Sequence, residues 1–228
     1  MFYGRFETQR DCSVYPAEHN WEESKRFAAL KLPVAGMDSV EGALRELTKS
    51  HACTCASCPA GLPGQATRRT KITRLPPVLT IVLDRFVHDP ESRRPTRRPD
   101  AVRFPLHLDM EEFLDGHPYA RGPEQSFTLA SVIIHEAVVT DRGFFYSLVR
   151  QPDGKWLKFD DERVVPVQEQ DVLSQFSGNN ISAAYGLLYV RDEDRDELLA
   201  PVIDSDIPAH ISEHTHFFIP TIVADSCL

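Results

Sequence analysis

Between Val78 and Leu83 the chain is apolar at almost every position, rich in β-branched residues and without a helical period. That pattern predicts a buried strand. Pro76 and Pro77 sit just before it, where a missing N–H does least harm. Val40, Ala43, Leu44 and Leu47 instead recur at helical spacing, and Asp38 with Glu41 has the separation of a capping box, so a helix is expected over Asp38–Leu47. Further on, the pattern predicts a short strand over Phe104–Leu108, a helical turn over Met110–Leu114 stopped near Gly116, and a long strand over Phe127–Val139. Phe144–Val149 and Lys155–Phe159 read as a hairpin closed by Gln151-Pro152-Asp153-Gly154. Val167–Phe176 reads as a short helix ended at Gly178, and Ala184–Val190 as a last strand. Strands joined by hairpins, with helices inserted singly, predict an α+β fold on a mainly antiparallel sheet.

The 228 residues suit one large domain, or one domain with appendages, at about 150 residues per domain. With 42% hydrophobic and 26% charged residues the composition is ordinary globular, which excludes collagen-like and wholly disordered chains. No apolar run approaches the ~20 residues of a membrane helix, so no membrane association is expected. Met1-Phe2-Tyr3-Gly4-Arg5-Phe6-Glu7 lacks the basic start and apolar core of a secretory signal, which points to an intracellular, reducing setting in nucleus or cytoplasm. Five cysteines, an odd number, then read as free thiols or metal ligands. Three of them lie in Ser50–Gly64, whose prolines and glycines predict an irregular knuckle. A formal charge of −9 speaks against nucleic acid as a partner. From Arg68 to Arg98, nine basic residues stand against three acidic ones, but no aromatics alternate with them, and the segment reads as a solvated hairpin with basic sides.

Several words occur in a fixed order. Leu75-Pro76-Pro77-Val78-Leu79 runs to Asp84-Arg85-Phe86; Val102-Arg103-Phe104-Pro105 and Val132-Ile133-Ile134-His135 follow. Gly143-Phe144-Phe145-Tyr146, Lys155-Trp156-Leu157-Lys158-Phe159-Asp160-Asp161 and Ala184-Tyr185-Gly186-Leu187-Leu188-Tyr189-Val190-Arg191 complete the set. Together they resemble the C-terminal half of the catalytic domain of ubiquitin-specific proteases, papain-like cysteine deubiquitinases. Phe86-Val87-His88-Asp89-Pro90 and the stretch Leu199–Pro208 look most like the herpesvirus-associated subfamily. The resemblance spans about residues 2–212 and implies a hand-like fold: fingers over about 2–74, palm over about 75–191, a subfamily extension over 192–212 and a loosely ordered tail over 213–228. It also implies that the thumb, which carries the family's nucleophilic cysteine, is absent from this chain.

A thiolate nucleophile needs an imidazole to take its proton and later protonate the leaving amine, and a carboxylate or amide to hold that imidazole. The family supplies the imidazole as Gly-His-Tyr; here the match is Gly143-Phe144-Phe145, and phenylalanine transfers no proton. The orienting acid matches Asp160, sixteen residues after Phe144 across one hairpin, a separation that sets the two side by side. None of Cys12, Cys53, Cys55, Cys58 or Cys227 lies in a nucleophile-like box. The resemblance assigns Phe86, His135, Phe145 and Tyr185 to the channel for the ubiquitin tail, and gives His135 no role as base.

Cys55-Ala56-Ser57-Cys58 has metal-ligand spacing, and the family's fingers often hold a tetrahedral zinc between two such pairs. The first pair is broken: Cys12 matches, but Tyr15 stands three residues on, leaving Cys53, His19 or His51 to act as fourth ligand. A degenerate, metal-free knuckle is therefore expected, with zinc as the alternative. The resemblance as a whole implies a catalytically inactive domain that binds ubiquitin, a ubiquitin-like protein or another partner, including a protein that supplies or covers the thumb side. Two alternatives are the C-terminal part of an active deubiquitinase whose thumb comes from elsewhere, and an interaction module that does not bind ubiquitin.

Overall fold

The computed structural model describes residues 1–15, 19–58, 66–88, 95–114, 125–139, 142–176 and 182–200. The expected tail over 213–228 and the helix stops at Gly116 and Gly178 lie outside these residues. Two sheets organise the chain. The smaller has four strands in the order β2 (Trp21–Phe27), β1 (Gly4–Cys12), β5 (Ala66–Arg74) and β4 (His51–Cys53), all antiparallel. It is a largely polar ribbon: β2 is exposed at every position before Phe27. Its base is anchored where Phe6 stacks on Phe27 at 5.9 Å and where Ile72 is fully buried in the main core.

The larger sheet runs β13 (Arg163–Val167), β12 (Trp156–Asp160), β11 (Arg142–Arg150), β10 (Ser126–Val139), β14 (Ser182–Arg191), β6 (Val78–Asp84) and β3 (Leu30–Pro33), with β9 (His107–Asp109) added beside β10. Among the described strands of this sheet β3 and β6 pair in parallel and the other neighbours are antiparallel; the expected α+β fold with a mainly antiparallel sheet is what the chain forms. One face of this sheet carries the core. On β10, Phe127 and Leu129 are buried, and so are Val132 and Ile134, which are out of phase with them by one residue. The register shift between Leu129 and Ser131 explains this: a bulge at Ala130 re-phases the strand so that both halves bury their apolar residues. Helix α1 (Val40–Thr48) lays Val40, Ala43 and Leu44 on that core. Removing the fully buried Leu79 side chain from β6 should leave a cavity; Leu79→Ala is expected to cost about 2–5 kcal/mol, read as a lower urea midpoint at unchanged slope.

Local chemistry moves several expected boundaries. Helix α1 is capped by Ser39, whose Oγ accepts from the Gly42 N–H at 3.1 Å, while Asp38 pairs with Arg103 at 3.0 Å. The strand expected over Phe104–Leu108 starts only at His107; upstream of it, the Leu106 carbonyl accepts from the Leu129 N–H and the Pro105 carbonyl takes the buried Tyr189 hydroxyl. Val167 closes strand β13, so the helix expected from there is α2 (Glu169–Leu173) followed by a 3-10 turn, Ser174–Phe176. Asp161, in the left-handed region at φ 51°, makes the tight turn that returns β12 into β13. The basic stretch is not one hairpin: its first residues lie on β5, Arg85 is fully buried, and β7 (Phe86–His88) with β8 (Pro95–Arg97) forms a separate ribbon. Beyond Arg191 the chain continues as a 3-10 turn and helix α3 (Arg195–Leu198). Among the described residues no helix is long and apolar enough to cross a membrane.

Candidate functional site

Two groups of side chains emerge from the β10–β11–β12 meander, one on each side of the sheet. The register sets Glu136 opposite Phe144 and His135 opposite Phe145. Opposed residues share a face and consecutive residues alternate, so the two pairs point in opposite directions. Glu136 and Phe144 extend the row that carries Ile134 and Tyr146 on the core side, and Phe144 is 42% exposed where that core layer runs out.

Asp160 ends β12 on this same side. The pairs Ser147 with Phe159 and Leu148 with Lys158 bring Asp160 level with Tyr146, one same-face step from Phe144. Burial raises the Tyr146 phenol above its ordinary range, and the charges of Glu136 and Asp160 add to that. Lys158, which sequence reasoning passed over, reaches Asp160 at 2.9 Å and stands 3.9 Å above the Tyr146 ring. Alternation was the available signal, since residues two apart on a strand share a face. The carboxylate thus meets an ammonium, and the side chain at position 144 is a hydrocarbon ring. The arrangement can pair charge and pack a ring, but among the described residues it holds no imidazole to shuttle a proton. The described thiols, Cys12, Cys53, Cys55 and Cys58, belong to the other sheet or the knuckle beside it, and Cys227 lies outside the described residues.

On the opposite side, Phe86, His135, Phe145 and Tyr185 come together as one aromatic cluster. Ring centroids lie 5.2 Å apart for Phe86 and His135, 4.8 Å for His135 and Phe145, 5.4 Å for Phe145 and Tyr185, and 5.7 Å for Phe86 and Tyr185. Tilted and edge-on contacts of this kind suit the ring quadrupoles. Tyr185 is the extra residue of a second bulge, where Ile133 pairs with Gly186 but Ile134 pairs with Ala184. Phe86 is aimed by its buried neighbour Arg85, whose Nε donates to the Ala184 carbonyl at 2.6 Å and whose Nη1 donates to the Asp100 carbonyl. Phe145 remains 50% exposed, and a shallow recess of about 490 Å³ runs from it past Ile133, Ser147, Phe159 and Leu188.

Gly143 lets this cluster close. A Cβ there would collide with the Glu136 carbonyl oxygen and lie 2.5 Å from His135 Nε2. Gly143→Ala should therefore push the His135 ring aside at a cost of about 1–3 kcal/mol, seen as a lower unfolding midpoint together with a shifted His135 imidazole resonance.

The third site is at the far end of the four-stranded sheet. Cys12, His19, Cys55 and Cys58 present their ligand atoms within 4.8 Å of one another. Cys12 Sγ lies 3.4 Å from Cys58 Sγ, and His19 Nδ1 lies 3.3 Å from Cys58 Sγ and 3.6 Å from Cys55 Sγ. Tyr15 does break the first pair, but His19 stands where a fourth ligand belongs; Cys53 and His51 are not part of the set. The Tyr15 N–H, donating to Cys12 Sγ at 3.4 Å, pulls that thiol down to about 6 against its desolvation. Desolvation and the neighbouring sulfurs push Cys58 up to about 12. Three thiols and an imidazole at these separations fit a tetrahedral ion with ~2.3 Å bonds to sulfur and ~2.0 Å bonds to nitrogen.

Comparison with known proteins agrees with this architecture. Ubiquitin carboxyl-terminal hydrolase 5 of Schizosaccharomyces pombe is 28% identical over 235 residues, covering 93% of this chain and 21% of the relative. Ubiquitin carboxyl-terminal hydrolase 7 of Caenorhabditis elegans is 28% identical over 228 residues, with 93% and 20% covered, and the Emericella nidulans hydrolase creB is 33% identical over 152 residues, with 66% and 19% covered. The chain thus spans about a fifth of the length of these curated relatives. Among solved structures, the yeast SAGA Ubp8/Sgf11/Sus1/Sgf73 deubiquitinating module bound to ubiquitin aldehyde contains a chain of the same fold, with TM-score 0.68 and 21% identity, 83% of this chain covered and 41% of that one. The family model described as ubiquitin carboxyl-terminal hydrolase matches residues 1–189, and this chain belongs to that family.

Proposed function

We propose that this chain is a ubiquitin-binding, deubiquitinase-like domain that does not itself hydrolyse ubiquitin conjugates. The observation that carries the reading is a phenylalanine at position 144, one same-face step from an Asp160 engaged by Lys158 at 2.9 Å: the residue matching the family's orienting acid has a lysine beside it and a hydrocarbon ring where the family's imidazole would be. The aromatic cluster on the other side of the sheet supports a retained binding role, because Phe86, His135, Phe145 and Tyr185 keep a partly exposed, mostly apolar surface suited to an extended peptide. A ubiquitin C-terminal tail is the peptide that family membership suggests, and one solved structure of the same fold is bound to ubiquitin aldehyde.

At the end of the four-stranded sheet, Cys12, His19, Cys55 and Cys58 would hold a structural zinc, which would cross-link the knuckle to β1 and perform no chemistry. The test of the binding role is a titration with fluorescent ubiquitin. Saturable binding that weakens at least about tenfold on Tyr185→Asp is expected, because a carboxylate there would be desolvated against the rings of Phe86 and Phe145. Absence of saturable binding, or indifference to Tyr185→Asp, would sink the ubiquitin reading and leave an interaction module with another partner.

A further inference from the structure

A cationic row crosses the four-stranded sheet one step below the cysteine–histidine cluster. Arg10 on β1 is directly opposite Trp21 on β2 and directly opposite Arg68 on β5, and Arg68 is directly opposite His51 on β4. Directly opposed residues project to one face, so Trp21, Arg10, Arg68 and His51 form a single line across all four strands at about 4.8 Å per strand. Like charges set opposite each other in neighbouring strands destabilise a sheet. Here no acid relieves them: among the described residues neither Arg10 nor Arg68 has a carboxylate partner. Of the carboxylates beside the row, Glu23 is held by Lys25 at 2.9 Å, and Glu46 lies 3.6 Å from Lys49 and 3.8 Å from His51 at the end of the row, which leaves the two guanidinium groups without an acid. Arg10 stacks its guanidinium over Trp21 at 5.1 Å, while its Nε is buried and has no hydrogen-bond partner.

Arg68 is exposed and, with His51, Thr70, Leu47, Pro33 and the Lys49-paired Glu46, lines a recess of about 440 Å³ between the sheet and helix α1. Trp21 leaves 38% of its surface to solvent at the other end of the row.

We propose that this face of the four-stranded sheet is a docking surface for an acidic segment of a partner protein, with carboxylates on Arg10 and Arg68 and an apolar side chain against Trp21. Charge complementarity selects the occupant: two opposed guanidinium groups without counter-charges are satisfied by carboxylates, which accept from arginine in bidentate fashion. Tryptophan and arginine side by side are the residue types that dominate binding energy at protein interfaces. Nucleic acid fits less well, because the row offers one aromatic ring and not a stacking series, on a chain of net charge −9. The surface is separate from the aromatic cluster on the larger sheet and does not depend on ubiquitin binding there.

The test uses the whole chain and the peptide acetyl-Glu-Glu-Leu-Glu-Glu-amide, followed through tryptophan emission. The chain has two tryptophans, and Trp156 is buried at 2% exposure, so a peptide-induced change reports Trp21. Saturable binding that weakens as salt is raised is expected, with Arg68→Gln reducing affinity about tenfold or more, as loss of a charged hydrogen bond does. Arg5→Gln lies on the opposite face of β1 and should leave affinity unchanged. Arg68 is exposed, so its variant keeps the fold, which the Trp156 emission checks independently. The proposal is overturned by a peptide that does not saturate, by an Arg5→Gln effect as large as that of Arg68→Gln, or by tighter binding of a single-stranded oligouridylate than of the peptide.

Discussion

The purified chain is expected to release no fluorophore from a ubiquitin C-terminal amide, and Phe144→His alone should leave that result unchanged. Two separate deficits underlie the expectation. The four described thiols lie on or beside the four-stranded sheet, away from Asp160, and position 144 holds a ring that neither accepts nor donates a proton. General acid–base catalysis by a positioned imidazole contributes about 10²–10⁴-fold, and the covalent route needs a nucleophile that none of the described thiols is placed to supply. A fragment of an active relative carrying its nucleophilic cysteine separates the deficits when added to wild-type and Phe144→His chains, with docking of the fragment measured in parallel. Turnover should arise only in the doubly repaired sample. Lys158 sharpens the comparison: because it occupies Asp160 at 2.9 Å, Lys158→Met in the repaired background should free the carboxylate for the new imidazole and raise turnover further. Turnover from docked fragment and wild-type chain would mean that another group acts as base, with His135 the first to test.

Zinc should be found at one ion per chain in protein purified without chelator, and its loss should unravel the end of the four-stranded sheet. Buried contacts at this end come from a small cluster of Cys12, Cys55 and Ala66 with Val14, Cys53 and Cys58 packed against it, too little apolar surface to hold a knuckle unaided. Structural zinc in small domains supplies apparent binding energies of about 10–16 kcal/mol, which become folding energy for the segment that forms the site. His19→Ala and Cys58→Ser should each weaken zinc by more than the about 10–100-fold that loss of an outer-shell partner costs. His19→Cys, which restores four thiolates, should retain it, and Cys53→Ser should bind as wild type because Cys53 is outside the set. Elemental analysis far below one ion per chain, or equal loss in Cys53→Ser and His19→Ala, would contradict the assignment.

What could be read in advance depended on how each element meets solvent. Strands β6, β10 and β14 were legible because a buried sheet imposes apolar runs and alternation. Strands β1, β2 and β5 were not, because both faces of the small sheet are largely polar and Trp21–Arg26 is exposed throughout. The helix expected over Asp38–Leu47 forms over nearly that extent, but its cap is Ser39, which accepts from the Gly42 N–H, while the adjacent Asp38 pairs with Arg103.

At the candidate site, the identities at positions 144 and 160 and the four aromatic positions could be read from words in the sequence. The engagement of Asp160 by Lys158 was within reach through their two-residue spacing on β12, but the stacking of Lys158 over Tyr146 needs the β11–β12 register to be known. His19 was only one of three candidates for a fourth ligand. Choosing it required the fold to carry a side chain from beyond the end of β1 back onto the knuckle.

Phe144 and Phe145 are neighbours in the chain that look out of opposite sides of one sheet, so changes at the two positions act on different surfaces. Because Phe144 is 42% exposed at the margin of the core, a change of side chain there demands no repacking around Phe145, His135 or Tyr185. The side chain at position 144 can therefore vary while the aromatic cluster stays intact. Changes at Gly143 or in the Tyr185 bulge have no such freedom, since they would disturb that surface directly.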